Sequence, residues 1–218
     1  MTALRIAIFD VDGVLLDSLD AHLQVCRDQA RQFGLSIKLP SIEEFRRLVA
    51  HGAVVSPMVE FFRTVGFSEK LAELANEHYR REFARKYPVG PFPGVSAMLA
   101  AVAATGVGLG IVTSNTRAII TSGLGDAMRF FDERCIITDD DSRRVTKAEA
   151  LGDCARTYGA KPDAMLYIGD QPRDFAAAQL AHVPFLGVTY GWGIEAGETR
   201  FAVAQSPQDI TRYIRAHA

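Results

Sequence analysis

Short apolar runs closed by turn residues punctuate the chain at 5–9, 107–112, 135–138, 165–168 and 185–189. Runs of that length with little alternation are the pattern of strands buried on both faces. Helical periodicity separates the last four, so the spacing predicts an α/β class fold, a mostly parallel sheet with helices on both sides. The stretch 19–87 is different: it carries no strand pattern, and its helical segments break at Gly34, Pro40, Gly52 and Gly66. It leaves just after the first strand and returns through "YPVGPFPG", whose prolines and glycines stiffen a connection. The expectation is therefore a core formed by residues 1–16 and 92–218, with a helical cap domain inserted at 17–91. The terminal "DITRYIRAHA" reads as a closing helix.

Residues 94–116 carry no charge and are long enough to span a bilayer. Within them Val95, Met98, Leu99 and Val102 follow the i, i+3, i+4, i+7 spacing of a helix with one buried face. Thr105-Gly106 then interrupts, and "VGLGIV" follows as a buried strand. A helix, a turn and a strand of a water-soluble core are expected there.

Composition narrows the function classes. Of 218 residues, 48% are hydrophobic and 23% charged, with a net charge of -2, which suits a globular core and points to neither nucleic acid nor an anionic membrane as partner. Cys26, Cys135 and Cys154 form no C-x-x-C pair and have no histidine at metal-ligand spacing, so neither a disulfide framework nor a zinc site is expected. A reducing cytoplasm fits that usage. The first strand begins by Arg5, which leaves no room for a leader, so the chain reads as unexported. A monomer or small homo-oligomer acting on a small molecule is the resulting expectation.

In parallel sheets ligands bind beyond the carboxyl ends of the strands. The residues there are Asp10 and Asp12, then Thr113, Ser114 and Asn115, then 139–141, and finally Gly169 and Asp170. In "FDVDGVLLDS" two like charges stand two residues apart, a cost unless a cation is near. A calcium-loop reading fails: with Gly13 at the sixth position, the first and twelfth fall on Ile8 and Leu19, where carboxylates are needed. A hairpin at Asp12-Gly13 is disfavoured because the following "VLLDSLDAHLQVC" turns helical. Carboxylates at i and i+2 at a strand end face one site.

"DVDGVLLDS", the buried strand "GIVTSN" ending in a hydroxyl, Lys147, and "YIGDQPRD" with Asp170 and Asp174 occur in an order that resembles the haloacid-dehalogenase superfamily of phosphotransferases, in its helical-cap subfamily. The run "GDQPRDFAAAQLAHVPFLGVTYGWG" is most similar to the phosphoglycolate phosphatase branch. The resemblance implies a Rossmann-like core and an Mg²⁺-dependent reaction through an aspartyl-phosphate on Asp10. It further implies that Mg²⁺ is held by the Asp10 carboxylate, the Asp12 backbone carbonyl and Asp170, with Asp174 holding metal waters or the lysine. Asp12 would serve as general acid and base, while Thr113, the backbone N–H of Ser114 or Asn115, and Lys147 would bind the phosphoryl group.

The lysine of this subfamily usually precedes proline, whereas Lys147 stands in "VTKAEAL". Lys161 has the proline but precedes the 165–168 strand, at the amino end of the sheet; Arg143 and Arg144 are weaker rivals. An acid at Asp12 favours a phosphate ester over a haloacid or phosphonate substrate, so the expected enzyme is a phosphoric monoester hydrolase acting on a small phosphorylated metabolite. A phosphomutase and a catalytically silent, aspartate-phosphorylated regulatory module remain as alternatives. For substrate selection the cap offers Arg46, Arg47 and His51 beside Gly52, where a cation could pair with a substrate carboxylate or simply form a solvated helix face.

Overall fold

The computed structural model describes residues 3–140 and 146–218. Six parallel strands form one sheet in the order β3-β2-β1-β4-β5-β6: β1 (Ile6–Phe9), β2 (Gly108–Val112), β3 (Ile136–Ile137), β4 (Met165–Gly169), β5 (Phe185–Val188) and β6 (Ala202–Ala204). The first strand in sequence is thus central, with Ile6 in register with Gly108 on one side and Met165 on the other.

The period of two divides each apolar run between two layers. Ala7, Phe9, Ile111 and Ile168 enter one buried cluster, with Val95, Met98, Leu99 and Val102 of α5 (Val95–Ala103) and Ile210 and Ile214 of α9 (Pro207–His217). Ile6, Ile8, Val112 and Tyr167 enter the other, with Leu151 and Cys154 of α7 (Lys147–Tyr158) and Ala178 of α8 (Pro172–Leu180). Both faces are covered, which is why the strand runs show no polar alternation. The uncharged stretch 94–116 supplies α5 and β2 to this core, and no helix among the described residues is long and apolar enough to cross a membrane.

Two details depart from expectation. The edge strand β6 is absent from the sequence reading because "AVA" is too short and too exposed to make an apolar run. The 135–138 run contributes only Ile136–Ile137, since Cys135 closes a 3₁₀ turn begun at Glu133.

Between β1 and α5 lie α1 (Leu19–Gln32), α2 (Ile42–Ala50), α3 (Met58–Thr64) and α4 (Glu69–Lys86). Leu23, Phe45, Phe61, Phe62 and Phe83 give these helices an apolar cluster of their own, joined by Ile119 of α6 (Arg117–Leu124) and by Trp192. The outgoing and returning segments run side by side: Asp17 N–H donates to Gly90 O (3.0 Å) and Phe92 N–H to Leu15 O (3.0 Å).

Candidate active site

The carboxyl ends of β1, β2 and β4 converge on a buried polar centre. Asp10 continues β1, its N–H donating to Ile168 O of β4 at 2.9 Å, and the Val11 N–H donates to Asp10 Oδ1 at 2.8 Å. The chain then turns at Gly13, whose φ of +79° places it in the left-handed region. A Cβ there would stand 2.0 Å from Asp170 Oδ2, so glycine is what lets Asp170 approach the loop.

Asp10 is 4% exposed, and Asp170 and Asp174 are fully buried. Lys147, the first residue of α7, reaches into this group from a helix start capped reciprocally by Thr146 and Glu149. Its Nζ donates to Asp10 Oδ2 (2.7 Å) and to Asp174 Oδ1 (2.6 Å). Asp174 also accepts from the N–H groups of Asp170 (3.3 Å) and Gln171 (3.1 Å) and from the Tyr167 hydroxyl (3.3 Å), so it ties α8 to the end of β4.

Burial pushes the Asp10 carboxyl up from 3.8 to about 6; the Lys147 ammonium opposes that rise, and the charges of Asp174 and Asp12 add to it. Burial also drives Asp170 well above the carboxylate range, reinforced by Asp174 and Asp10. For Lys147 burial acts downward, but Asp10 and Asp174 outweigh it and hold the ammonium above its ordinary range.

Asp10, Asp170 and Asp174 each offer an oxygen within 4.8 Å of the others, an arrangement able to hold a metal ion. One ammonium faces three buried carboxyl groups, so all three can ionise together only if a further cation is bound, and Asp170 Oδ1 is buried with no hydrogen-bond partner among the described residues. Oxygen-only donors of this kind fit a hard divalent cation.

Asp12 occupies a different environment. Ser18 Oγ donates to its Oδ1 (2.6 Å) and Asn115 Nδ2 to its Oδ2 (2.7 Å). Asn115 Oδ1 in turn accepts from Thr116 N–H (2.7 Å) and the Tyr79 hydroxyl (3.4 Å), and Tyr79 meets His22 Nε2 at 3.1 Å. His22 Nδ1 lies 2.7 Å from Ser18 O; a carbonyl only accepts, so Nδ1 carries the proton. Asp12 therefore sits in a closed ring of bonds joining the first loop, β2 and helices α1 and α4.

Thr113, 7% exposed, follows β2, and its Oγ1 accepts the Asn115 N–H at 3.2 Å. Ser114 Oγ meets Ser56 Oγ from the helical segment. Asp139 and Asp140 pair with Arg80 of α4. Asp141, Arg143 and Arg144 lie outside the described residues. Lys161 is exposed just before β4, at the amino end of the sheet, while Lys147 is inside the centre.

The structure does not bring Arg47 and His51 to this centre. Arg47 pairs with Glu43 (3.2 Å) at the surface and His51 Nδ1 lies 2.7 Å from Arg47 O; both border an outer groove of about 500 Å³ with Lys38 and Leu39. Arg46 bonds Tyr190 O at 3.3 Å. The cavity that touches Asp10 and Asp12 is instead walled by His22, Phe61, Tyr79 and Trp192. Sequence reasoning had no means to single out these aromatics, because isolated rings within helices carry the same signal as core residues. Trp192, the only tryptophan in the chain and flanked by glycines, is the one that could have drawn notice.

Residues 7–188 match the family model of the haloacid dehalogenase-like hydrolases, and the chain belongs to that family. Among curated relatives, the phosphoglycolate phosphatase of Photorhabdus laumondii is 30% identical over 88% of this chain and 83% of its own. That of Synechococcus elongatus is 25% identical over 95% of each. Among solved structures, a haloacid dehalogenase-like hydrolase from Streptococcus pneumoniae superposes with a TM-score of 0.78 at 22% identity, covering 98% of this chain and 99% of the other. A hydrolase from Pseudomonas syringae gives 0.72 at 21%, covering 98% and 99%. These two share the fold.

Proposed function

We propose that the protein is an Mg²⁺-dependent phosphatase that hydrolyses a small phosphate monoester through an aspartyl-phosphate on Asp10, the activity class named for its curated relatives. The observation that carries this reading is the contrast between two neighbouring aspartates: Asp10 is ion-paired to Lys147 among buried carboxylates, and Asp12 is held apart by neutral donors.

Asp10 attacks phosphorus with a carboxylate oxygen. The bond from phosphorus to the ester oxygen breaks, and the leaving alkoxide takes a proton from Asp12. Asp12, now a carboxylate, removes a proton from a water that attacks the aspartyl-phosphate. The bond from phosphorus to Asp10 breaks, inorganic phosphate leaves, and both aspartates return to their starting states. Mg²⁺, when bound, would be held by Asp10, Asp170 and the Asp12 carbonyl, and would offset the negative charge of the phosphoryl group. Thr113, the N–H groups of Ser114 and Asn115, and Lys147 are assigned to the phosphoryl oxygens. Asp174 positions Lys147, as its 2.6 Å contact suggests.

Residues 17–91 are assigned as a cap that shields the site from bulk water during transfer and opens for release. The cavity's helical wall and the paired connections at Asp17 and Gly90 support that assignment.

The test is release of inorganic phosphate from a panel of phosphorylated metabolites with Mg²⁺, in the wild type and Asp10→Asn. The wild type turns over at least one ester, EDTA abolishes the activity, and Asp10→Asn loses it while folding normally. Substantial activity in Asp10→Asn would overturn the proposed chemistry.

A further inference from the structure

Phosphoryl transfer as described above assigns no task to the Asn115 side chain, although Asn115 is 4% exposed and clamped from several directions. Its backbone carbonyl accepts the Asp139 N–H (3.0 Å), which ties the loop to the end of β3. Its Oδ1 accepts the Thr116 N–H (2.7 Å), with the Tyr79 hydroxyl of α4 3.4 Å away, and its Nδ2 donates to Asp12 Oδ2 at 2.7 Å. The amide can stand only one way round. Exchanged, its oxygen would face the Asp12 carboxylate and its NH₂ the Thr116 N–H, two repulsive contacts. The donor aimed at Asp12 is thus fixed from both sides.

The second bond to Asp12 also comes from a side chain diverted from local work. Ser18 stands at the N-cap of α1, where a serine ordinarily bonds the helix's own first N–H groups, but its side chain makes no such bond. Its Oγ donates to Asp12 Oδ1 at 2.6 Å instead. Both partners are neutral, which suits a group that must gain and lose a proton; a cation in their place would hold Asp12 ionised. They differ in kind. An amide N–H can only donate, so Oδ2 remains an acceptor in both states and the proton falls to Oδ1. The Ser18 hydroxyl, able to donate or accept, fits an oxygen whose proton comes and goes.

We propose that the Asn115 side chain is a positioning residue for the acid–base step: it holds Asp12 Oδ2 and so leaves the transferable proton on Oδ1. This rests on the phosphatase reading above. Losing the Asn115 donor then hurts most where the leaving group needs that proton.

The experiment compares kcat/KM of the full chain with Mg²⁺ for p-nitrophenyl phosphate, whose leaving group departs as a stabilised anion, and phenyl phosphate, of similar shape, whose leaving oxygen depends more on a proton. Asp12→Asn, the reference, lowers the phenyl-to-nitrophenyl ratio. Asn115→Asp keeps the shape and the acceptor for Thr116 but removes the donor, and Asn115→Ala removes the side chain; both keep the backbone N–H assigned to the phosphoryl group. Each lowers the ratio by about tenfold, the worth of a well-made hydrogen bond. That ratio does not depend on the fraction of enzyme folded, so structural damage alone leaves it unchanged. A wild-type ratio in both Asn115 variants, with Asp12→Asn shifted, overturns the proposal and leaves the phosphatase standing. An unshifted ratio in Asp12→Asn overturns the acid assignment and this proposal with it. Absence of turnover on both esters also overturns the proposal, and silence across the metabolite panel as well overturns the phosphatase reading.

Discussion

Asp10 and Asp12 are the same residue type two positions apart, yet their surroundings differ in kind. Asp10 is buried against Lys147 and two further carboxylates; Asp12 is half-buried and bonded to Ser18 and Asn115. Asp10's carboxyl is raised from 3.8 to about 6, so between those values the native state of metal-free protein holds a proton that the unfolded chain has lost. By linkage its contribution to stability is fully present below the unfolded value and is lost as pH rises through about 6. Thermal melts in EDTA from pH 4 to pH 7 will show Asp10→Asn, which cannot ionise, gaining on the wild type as pH rises. A constant difference would remove burial as the cause of the raised pKa. Lys147→Ala takes away the cation shared by Asp10 and Asp174 and is expected to lower kcat/KM at least about 10²-fold, while Lys161→Ala, at the far end of the sheet, leaves it nearly unchanged. The reverse ranking would show Lys161 to be the phosphate-binding lysine.

At the scale of elements, the loop after β1 works only because one position lacks a side chain. Gly13 combines a positive φ with a Cα facing the Asp170 carboxylate. Gly13→Ala brings a backbone penalty of about 1–2 kcal/mol and forces Asp170 or Trp192 to move, so Mg²⁺ affinity is expected to fall more than stability. Isothermal titration with Mg²⁺ beside a thermal melt separates the two effects; unchanged affinity would mean that Asp170 is not a metal ligand. The start of α7 shows how a local signal serves the site. The capping box of Thr146 and Glu149 fixes where the helix begins, and that start delivers Lys147 to Asp10.

Across the whole molecule, the helical segment is held over the sheet by polar contacts at its rim: Arg80 with Asp139 and Asp140, Ser56 with Ser114, and Arg173 with the Ser56 carbonyl. Exposed ion pairs of this kind are worth about 0–1 kcal/mol, enough to bias the proposed opening of the cap without governing folding. Arg80→Ala is therefore expected to lower kcat/KM a few-fold with little change in melting temperature. The gap between wild type and variant should narrow in about 1 M salt, where screening removes the pair's advantage. A gap independent of salt would place Arg80 outside the closure equilibrium.

The sequence by itself determined the strands of the sheet interior, because burial on both faces demands uninterrupted apolar runs, and it placed Asp10, Asp12, Thr113 and Asp170 at their carboxyl ends. The break between β1 and α5 was legible for the opposite reason, since helical periodicity without strand pattern fills 19–87. The sequence favoured Lys147 over Lys161 by its place relative to the 165–168 strand, but the tertiary structure alone decided that its ammonium is shared between Asp10, 137 residues away, and Asp174, because that meeting depends on strand order and on where α7 starts. It decided that Asp12 is held by Asn115, and that the cavity wall is aromatic while Arg47 and His51 face an outer groove. Residue pattern records whether a side chain is buried, which is a local property. What it is buried against is set by contacts distant in sequence, and a ring in a helix carries the same local signal whether it faces a core or a substrate.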